Sequence, residues 1–298
     1  MFSLKSKLLR VVVSLVLLGV LALGVAGCLM RHPAGVQVER NLIYAEVDDH
    51  KLRLDLYRPK HIQRKLPVII WLYGGGWRMG SKTICPLASY AAEQVAIVSI
   101  DYRLDDVAVF PAQIHDCKGA VRWLRANADR FNLDADHLGV FGISAGGHLA
   151  ALLGTTEGNS EMEGTVGGNL GFSSKVQGVC AFYPPTDLNR LVATPKQRND
   201  AGHPVAMLIG GPVASHADAA NFASPIFYVS SNAAPFFLLH GGADRLVPPE
   251  QSQLLHEALL RVGVESHLAI IPNKGHGIFA PPEVAREIRG FFVRQLGR

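Results

Sequence analysis

Short apolar runs alternate with amphipathic segments along most of this chain, and that alternation predicts its layers. Val68–Tyr73 and Val95–Ile100 are apolar almost without interruption, the pattern of strands buried on both faces. Leu138–Phe141, Val176–Tyr183, Phe236–His240 and Ser266–Ile271 read as further strands. Between them, Pro111–Arg130 places Ile114, Cys117, Val121 and Leu124 three or four residues apart, which predicts a helix. Helices are also expected within Gly74–Gln94 and over Ala145–Leu153, Pro249–Val262 and Pro282–Leu296. Val36–Glu46 and Lys51–Tyr57 flank the polar turn Asp48-Asp49-His50 and predict an opening hairpin. Thr155–Lys175 lacks apolar periodicity and reads as a loop. Pro184–Ala234 mixes prolines, glycines and short apolar stretches, as an inserted cap over a sheet edge would. Strands alternating with helices imply an α/β fold, a mostly parallel sheet with helices on both faces. With 298 residues, 48% of them hydrophobic, the chain is long enough for one large core.

The first segment does not fit that core. Lys5, Lys7 and Arg10 precede an uncharged run from Val11 to Met30, and Val25-Ala26-Gly27-Cys28 resembles the lipobox at which bacterial lipoproteins are cleaved and acylated. Residues 1–27 are therefore expected to be a lipoprotein signal peptide. Cys28 is then the lipidation site, residues 28–35 a short tether, and residues 36–298 the folded domain. A retained membrane span is the competing reading. Either reading puts the bilayer among the partners and the domain outside the cytoplasm.

Charge changes little once that segment is set aside. It holds three of the 29 Lys+Arg and none of the 25 Asp+Glu, so the remainder is nearly neutral, and no nucleic-acid partner is expected. Cys85, Cys117 and Cys180 remain besides Cys28. Two of them fall inside predicted elements, which favours buried thiols over a disulfide framework and leaves one bridge through Cys85 open.

The chemistry centres on Gly142-Ile143-Ser144-Ala145-Gly146, at the seam between a predicted strand and a predicted helix. In that setting G-x-S-x-G is a nucleophile elbow, a strained turn that lifts a serine above the sheet. Ala145 opens the helix, where its N–H can face an oxyanion. A serine needs a base and an orienting acid, and the elbow architecture puts them later, in loops after strands. Asp244 follows strand Phe236–His240 and is the expected acid, with Asp187 and Glu250 as rivals. His276 follows strand Ser266–Ile271 and is the expected base, because His256 lies within a helix and His267 within a strand. Tyr73-Gly74-Gly75-Gly76-Trp77 ends an early buried strand, where Gly75 and Gly76 can supply the second oxyanion donor. Trp77 is read as acyl-pocket lining or core, His148 as packing or capping, and Asp101 with Arg103 as an ion pair holding strand ends, with substrate contact as their alternative role.

These motifs, with Asp101-Tyr102-Arg103, Pro111-Ala112-Gln113 and Asp116, Gly147-His148, Ser224-Pro225-Ile226, His240-Gly241-Gly242-Ala243-Asp244, Val247-Pro248 and Gly275-His276-Gly277, form a larger pattern. It resembles the α/β-hydrolase esterases related to hormone-sensitive lipase, nearest the bacterial feruloyl-esterase and acetyl-esterase branch, from about Val36 to the C-terminus. The resemblance implies the α/β-hydrolase fold and a serine carboxylic ester hydrolase needing neither metal nor organic cofactor. Its expected substrates are short-acyl or small aromatic esters, including esters of carbohydrates. An amidase such as an arylformamidase, or an acyltransferase, would use the same three residues, and a non-catalytic binding module would lack one of them. In one place the chain departs from the family: Tyr73 stands where a histidine usually precedes the glycine triplet.

Overall fold

The computed structural model describes residues 34–277 and 280–297. The expected signal peptide, Cys28 and most of the tether lie outside the described residues. The chain opens with the antiparallel hairpin β1 (Val36–Val47) and β2 (His50–Pro59), followed by β3 (Leu66–Leu72) and β4 (Ala96–Ile100). α1 (Ala112–Ala126) and α2 (Ala128–Phe131) lead to β5 (Leu133–Ile143), which runs into α3 (Ala145–Thr155). After α4 (Ser160–Glu163) and β6 (Gly178–Phe182), four short helices follow: α5 (Leu188–Leu191), α6 (Pro195–Arg198), α7 (Pro204–Ile209) and α8 (Ala217–Phe222). β7 (Phe236–Gly241), α9 (Glu250–Arg261), β8 (Ser266–Ile271) and α10 (Pro282–Gln295) complete the domain.

The eight strands form one sheet in the order β1-β2-β4-β3-β5-β6-β7-β8. β2 is antiparallel to both β1 and β4, and every other neighbouring pair is parallel. All five residues of β4 and of β6 are buried, as continuous apolar runs demand. Alternate side chains feed two cores. Ile70, Val98, Val140, Val179 and Leu238 face α1, α3 and α9, while Trp71, Phe141, Cys180, Phe237 and Leu239 face α10.

Two segments differ from the sequence-based expectation. Gly74–Gln94 contains only a six-residue 3-10 turn, Ala88–Glu93, ended by Gln94 in the left-handed region at φ 60°. The helix expected over Pro111–Arg130 breaks at Asn127 into α1 and α2. Thr155–Lys175 is the expected loop apart from α4, and it is ordered by charge, which apolar periodicity cannot reveal. Lys118 of α1, fully buried, donates to Glu163 (2.6 Å), the Thr156 carbonyl (2.9 Å) and Ser174 (3.2 Å), and Arg122 donates to Glu163 and the Val166 carbonyl. Cys85, Cys117 and Cys180 are free thiols, as the sequence favours, and among the described residues no bridge forms through Cys85. Among the described residues, no helix is long and apolar enough to cross a membrane.

Candidate active site

The elbow is set by close approach of backbone rather than by flexibility. A Cβ on Gly142 would lie 2.1 Å from the Gly146 carbonyl oxygen, and one on Gly146 would lie 2.2 Å from that of Leu72. Side chains at either position would push α3 off the sheet. Between them Ser144 is held at φ 52°, ψ −120°, a costly conformation for a residue with a Cβ. Its N–H donates to the Phe182 carbonyl (2.9 Å) and its own carbonyl accepts from His148 N–H (2.9 Å), so strand and helix fix both ends of the turn.

Loops after β7 and β8 bring the expected acid and base to that serine. Ser144 Oγ lies 3.0 Å from His276 Nε2, and His276 Nδ1 lies 2.7 Å from Asp244 Oδ2. A carboxylate can only accept, so Nδ1 carries the proton and Nε2 is left to accept from the serine hydroxyl. Asp244 is buried, and its other oxygen accepts from the N–H groups of Leu246 (2.9 Å) and Val247 (3.0 Å), which fixes the carboxylate plane. The two loops are tied directly: Ala243 N–H donates to the Lys274 carbonyl at 2.8 Å. The rival acids are engaged elsewhere. Asp187 caps α5 by accepting from Arg190 N–H, and Glu250 opens α9 beside Arg190. His256 sits on Ser266 Oγ and His267 on Glu265, both away from the serine.

The glycine loop faces the elbow from the end of β3. Gly75, Gly76 and Trp77 follow one another at φ 123°, 63° and 62°, which turns the chain sharply beside Pro204 of α7. A Cβ on Gly74 would meet the Ser144 Cβ at 3.2 Å, so the loop lies directly against the candidate nucleophile. The N–H groups of Gly75, Gly76 and Ala145 donate to no group among the described residues, which leaves them free to act as donors. Tyr73 braces the loop in place of the usual histidine. Its ring stacks on Tyr102 with centroids 4.5 Å apart, and the Tyr102 hydroxyl donates to the Tyr73 carbonyl at 2.9 Å.

Arg103 is not paired with Asp101, contrary to the expectation. Its guanidinium forks onto Asp116 of α1 (2.7 Å) and Asp101 accepts instead from Lys82 N–H. The geometry is decided by α1, whose buried Asp116 needs a cation once it is desolvated.

Three residues to which the sequence assigned no catalytic part shape the site. His148, fully buried in α3, accepts from Trp77 Nε1 (3.1 Å) and donates from Nε2 to the Ala223 carbonyl (2.6 Å), linking the glycine loop, the elbow helix and the end of α8. Trp77 is thereby core rather than pocket lining, at 3% exposure. His240, also buried, bridges Ser252 Oγ and the Val247 carbonyl and holds the acid loop from behind. Tyr183 packs its ring on His276, centroids 4.4 Å apart, from a strained left-handed backbone at φ 39°. Burial, with the nearby Asp244 charge, pushes its phenol up to about 12, so it stays neutral. A strained non-glycine residue against the imidazole is the signal of an imposed function. Tyr183→Phe is expected to retain most activity and Tyr183→Ala to lose about 10-fold or more in kcat, since a misplaced imidazole costs orientation; comparing kcat for the two on one ester checks it.

Burial also depresses His148 to about 4. Its unfolded value is near 6.5, so between the two the unfolded chain binds the extra proton and stability falls as pH drops. Acid from about pH 6.5 to 4 is expected to remove roughly 3 kcal/mol through this group alone. Urea midpoints across that range check it: His148→Gln should lower stability at pH 7 and show a shallower acid limb.

Among the described residues, no cluster of three or more His, Cys, Asp or Glu is arranged to hold a metal. The site sets a serine, an imidazole and a carboxylate in one hydrogen-bonded line, facing backbone donors, on an α/β-hydrolase fold. Residues 54–259 match the family described as BD-FAE, and the chain belongs to that family. It is similar to esterase LipC of Mycobacterium tuberculosis, 34% identical over 83% of this chain and 61% of LipC. Esterase LipQ of the same organism is 32% identical over 81% of this chain and 57% of LipQ. The chain thus spans about three fifths of these curated relatives. Among solved structures, a truncated carbohydrate esterase from gut microbiota superposes with a TM-score of 0.81 at 30% identity, covering 90% of this chain and 99% of that one. The bifunctional GH43-CE protein of Bacteroides eggerthii gives 0.79 at 34% identity, over 87% of this chain and 38% of that one.

Proposed function

We propose that this chain is a serine carboxylic ester hydrolase working through an acyl-enzyme. The observation that carries the reading is the unbroken line Ser144–His276–Asp244, with contacts of 3.0 and 2.7 Å. Ser144 Oγ attacks the ester carbonyl as His276 Nε2 takes its proton, and Asp244 holds the imidazole tautomer and stabilises the imidazolium. Gly75, Gly76 and Ala145 N–H groups receive the oxyanion. His276 then returns the proton to the leaving alcohol, activates water and releases the acid. Short-acyl or small aromatic esters, including esters on carbohydrate, are the proposed substrates. Relatives named as esterases support the reaction class, and the carbohydrate esterase neighbour supports a carbohydrate ester. The test is a panel of p-nitrophenyl acetate and butyrate, an acetylated oligosaccharide, a hydroxycinnamate methyl ester and an arylformamide, with and without competing alcohol. Ester turnover to free acid is the expected result. Preferred turnover of the arylformamide, or product diverted mainly to the added alcohol, would overturn hydrolysis of esters as the function.

The same proposal places the enzyme outside the cytoplasm as a lipoprotein anchored at Cys28. Support comes from the basic end, the uncharged run and the Val25-Ala26-Gly27-Cys28 pattern. Two or more acyl chains give stable anchoring where one does not. Wild-type chain should incorporate a palmitate analogue and lose residues 1–27, and Cys28→Ser should do neither; an unlabelled wild-type chain retaining Met1–Gly27 refutes it.

A further inference from the structure

The topology adds an orientation to the anchoring reading. β1 is antiparallel to β2 and β2 to β4, so β1 runs with the parallel strands and starts at the edge opposite their C-terminal ends. Val36 pairs with Pro59, and the register through Tyr57–Ile97, Ile97–Ile69 and Leu72–Gly142 puts Ser144 seven residue levels above it. At about 3.3 Å per level and four strand spacings of about 4.8 Å, the two lie roughly 30 Å apart through the protein. The tether Leu29–Gly35 reaches about 25 Å when fully extended. It has no slack to pass around the domain and turn the catalytic edge toward the bilayer.

The loop beside the point where the tether arrives is basic. Gly35 accepts from Lys60 N–H at 2.9 Å, and Lys60 opens the exposed loop Lys60-His61-Ile62-Gln63-Arg64-Lys65. Farther along that edge Asp129 pairs with Lys65 and Asp134 with His137, while Asp136 is exposed without an ion pair among the described residues, so the loop's charge toward a surface rests on Lys60 and Arg64. Basic residues beside a membrane anchor are drawn to anionic headgroups within a Debye length. The catalytic edge exposes Met79, Val107, Phe227 and Leu246, apolar side chains that would themselves favour a bilayer if the tether were long enough to bring them to it.

We propose that the loop Lys60–Lys65 rests on an anionic bilayer while the catalytic cleft opens away from it, so that the enzyme takes soluble or polymer-borne esters from the aqueous side rather than lipids of its own membrane. This rests on the anchoring reading. It is tested with the full-length lipidated chain in phosphatidylglycerol/phosphatidylcholine vesicles carrying an energy acceptor on the headgroups. A donor dye is placed at Gln63→Cys or, in the loop between β4 and α1, at Val107→Cys. Energy transfer from position 63 is expected to exceed that from position 107 severalfold, and Lys60→Gln with Arg64→Gln to shrink the difference. Equal transfer, or more from position 107, on chains that float with the vesicles overturns the orientation and leaves the anchor intact. Chains that do not float at all overturn the anchor, and the orientation with it.

Discussion

Replacing Ser144 by alanine is expected to lower kcat on p-nitrophenyl butyrate by about 10⁴–10⁶ while the far-UV spectrum and urea midpoint stay near those of the wild type. The hydroxyl is the only atom lost, and its partners His276 and Asp244 keep their mutual 2.7 Å hydrogen bond without it. The strain at Ser144 comes from the backbone and persists in alanine, so stability should change little. What remains is the contribution of backbone donors and binding, which do not supply a nucleophile. His276→Ala should fall in the same range because the three side chains act as a unit, and Asp244→Ala should be somewhat milder. More than a tenth of the activity left in Ser144→Ala would remove Ser144 as the nucleophile.

The second large effect separates two adjacent glycines. A Cβ on Gly75 would sit 2.1 Å from the Met79 carbonyl oxygen at a backbone φ of 123°, so alanine there must displace the loop. A Cβ on Gly76 would find only Pro204, at 3.6 Å, and its φ of 63° is one that the next residue, Trp77, already adopts with a side chain. Gly75→Ala is therefore expected to cost about 10²–10³ in kcat, the worth of one misplaced oxyanion donor, with KM nearly unchanged. Gly76→Ala should cost about tenfold or less, because αL backbone strain is roughly 1–2 kcal/mol. Steady-state kinetics on one ester compare the pair; equal losses would mean that the loop tolerates no side chain at either place, for a reason other than the Met79 contact.

The strands and long helices were legible because burial on two faces forces continuous apolar runs and burial on one face forces helical spacing. Val68–Tyr73 and Pro249–Val262 show those patterns without help from distant residues. The candidate site was legible for a different reason. An elbow serine needs small residues where backbones nearly touch, so Gly142 and Gly146 are written into the chain. The acid and the base stand in glycine-flanked loops directly after strands.

Other features carry no local signal. Thr155–Lys175 looks structureless because what orders it, Lys118 and Arg122, belongs to a helix some forty residues earlier. Arg103 turns from its neighbour Asp101 to Asp116 because α1 delivers a buried carboxylate that must be paired. Tyr183 is one aromatic residue at the end of a strand; only its contact with His276 and its positive φ reveal it.

By itself, then, the amino-acid sequence determined the α/β alternation and the elbow, and it singled out Ser144, Asp244 and His276 as candidates, since periodicity and steric necessity act within a few residues. Tertiary structure alone decided how those three meet, which of Asp101 and Asp116 pairs with Arg103, and that His148 joins the glycine loop to the end of α8. Hydrogen bonds and desolvation couple groups that are close in space, and spacing along the chain holds no record of that distance.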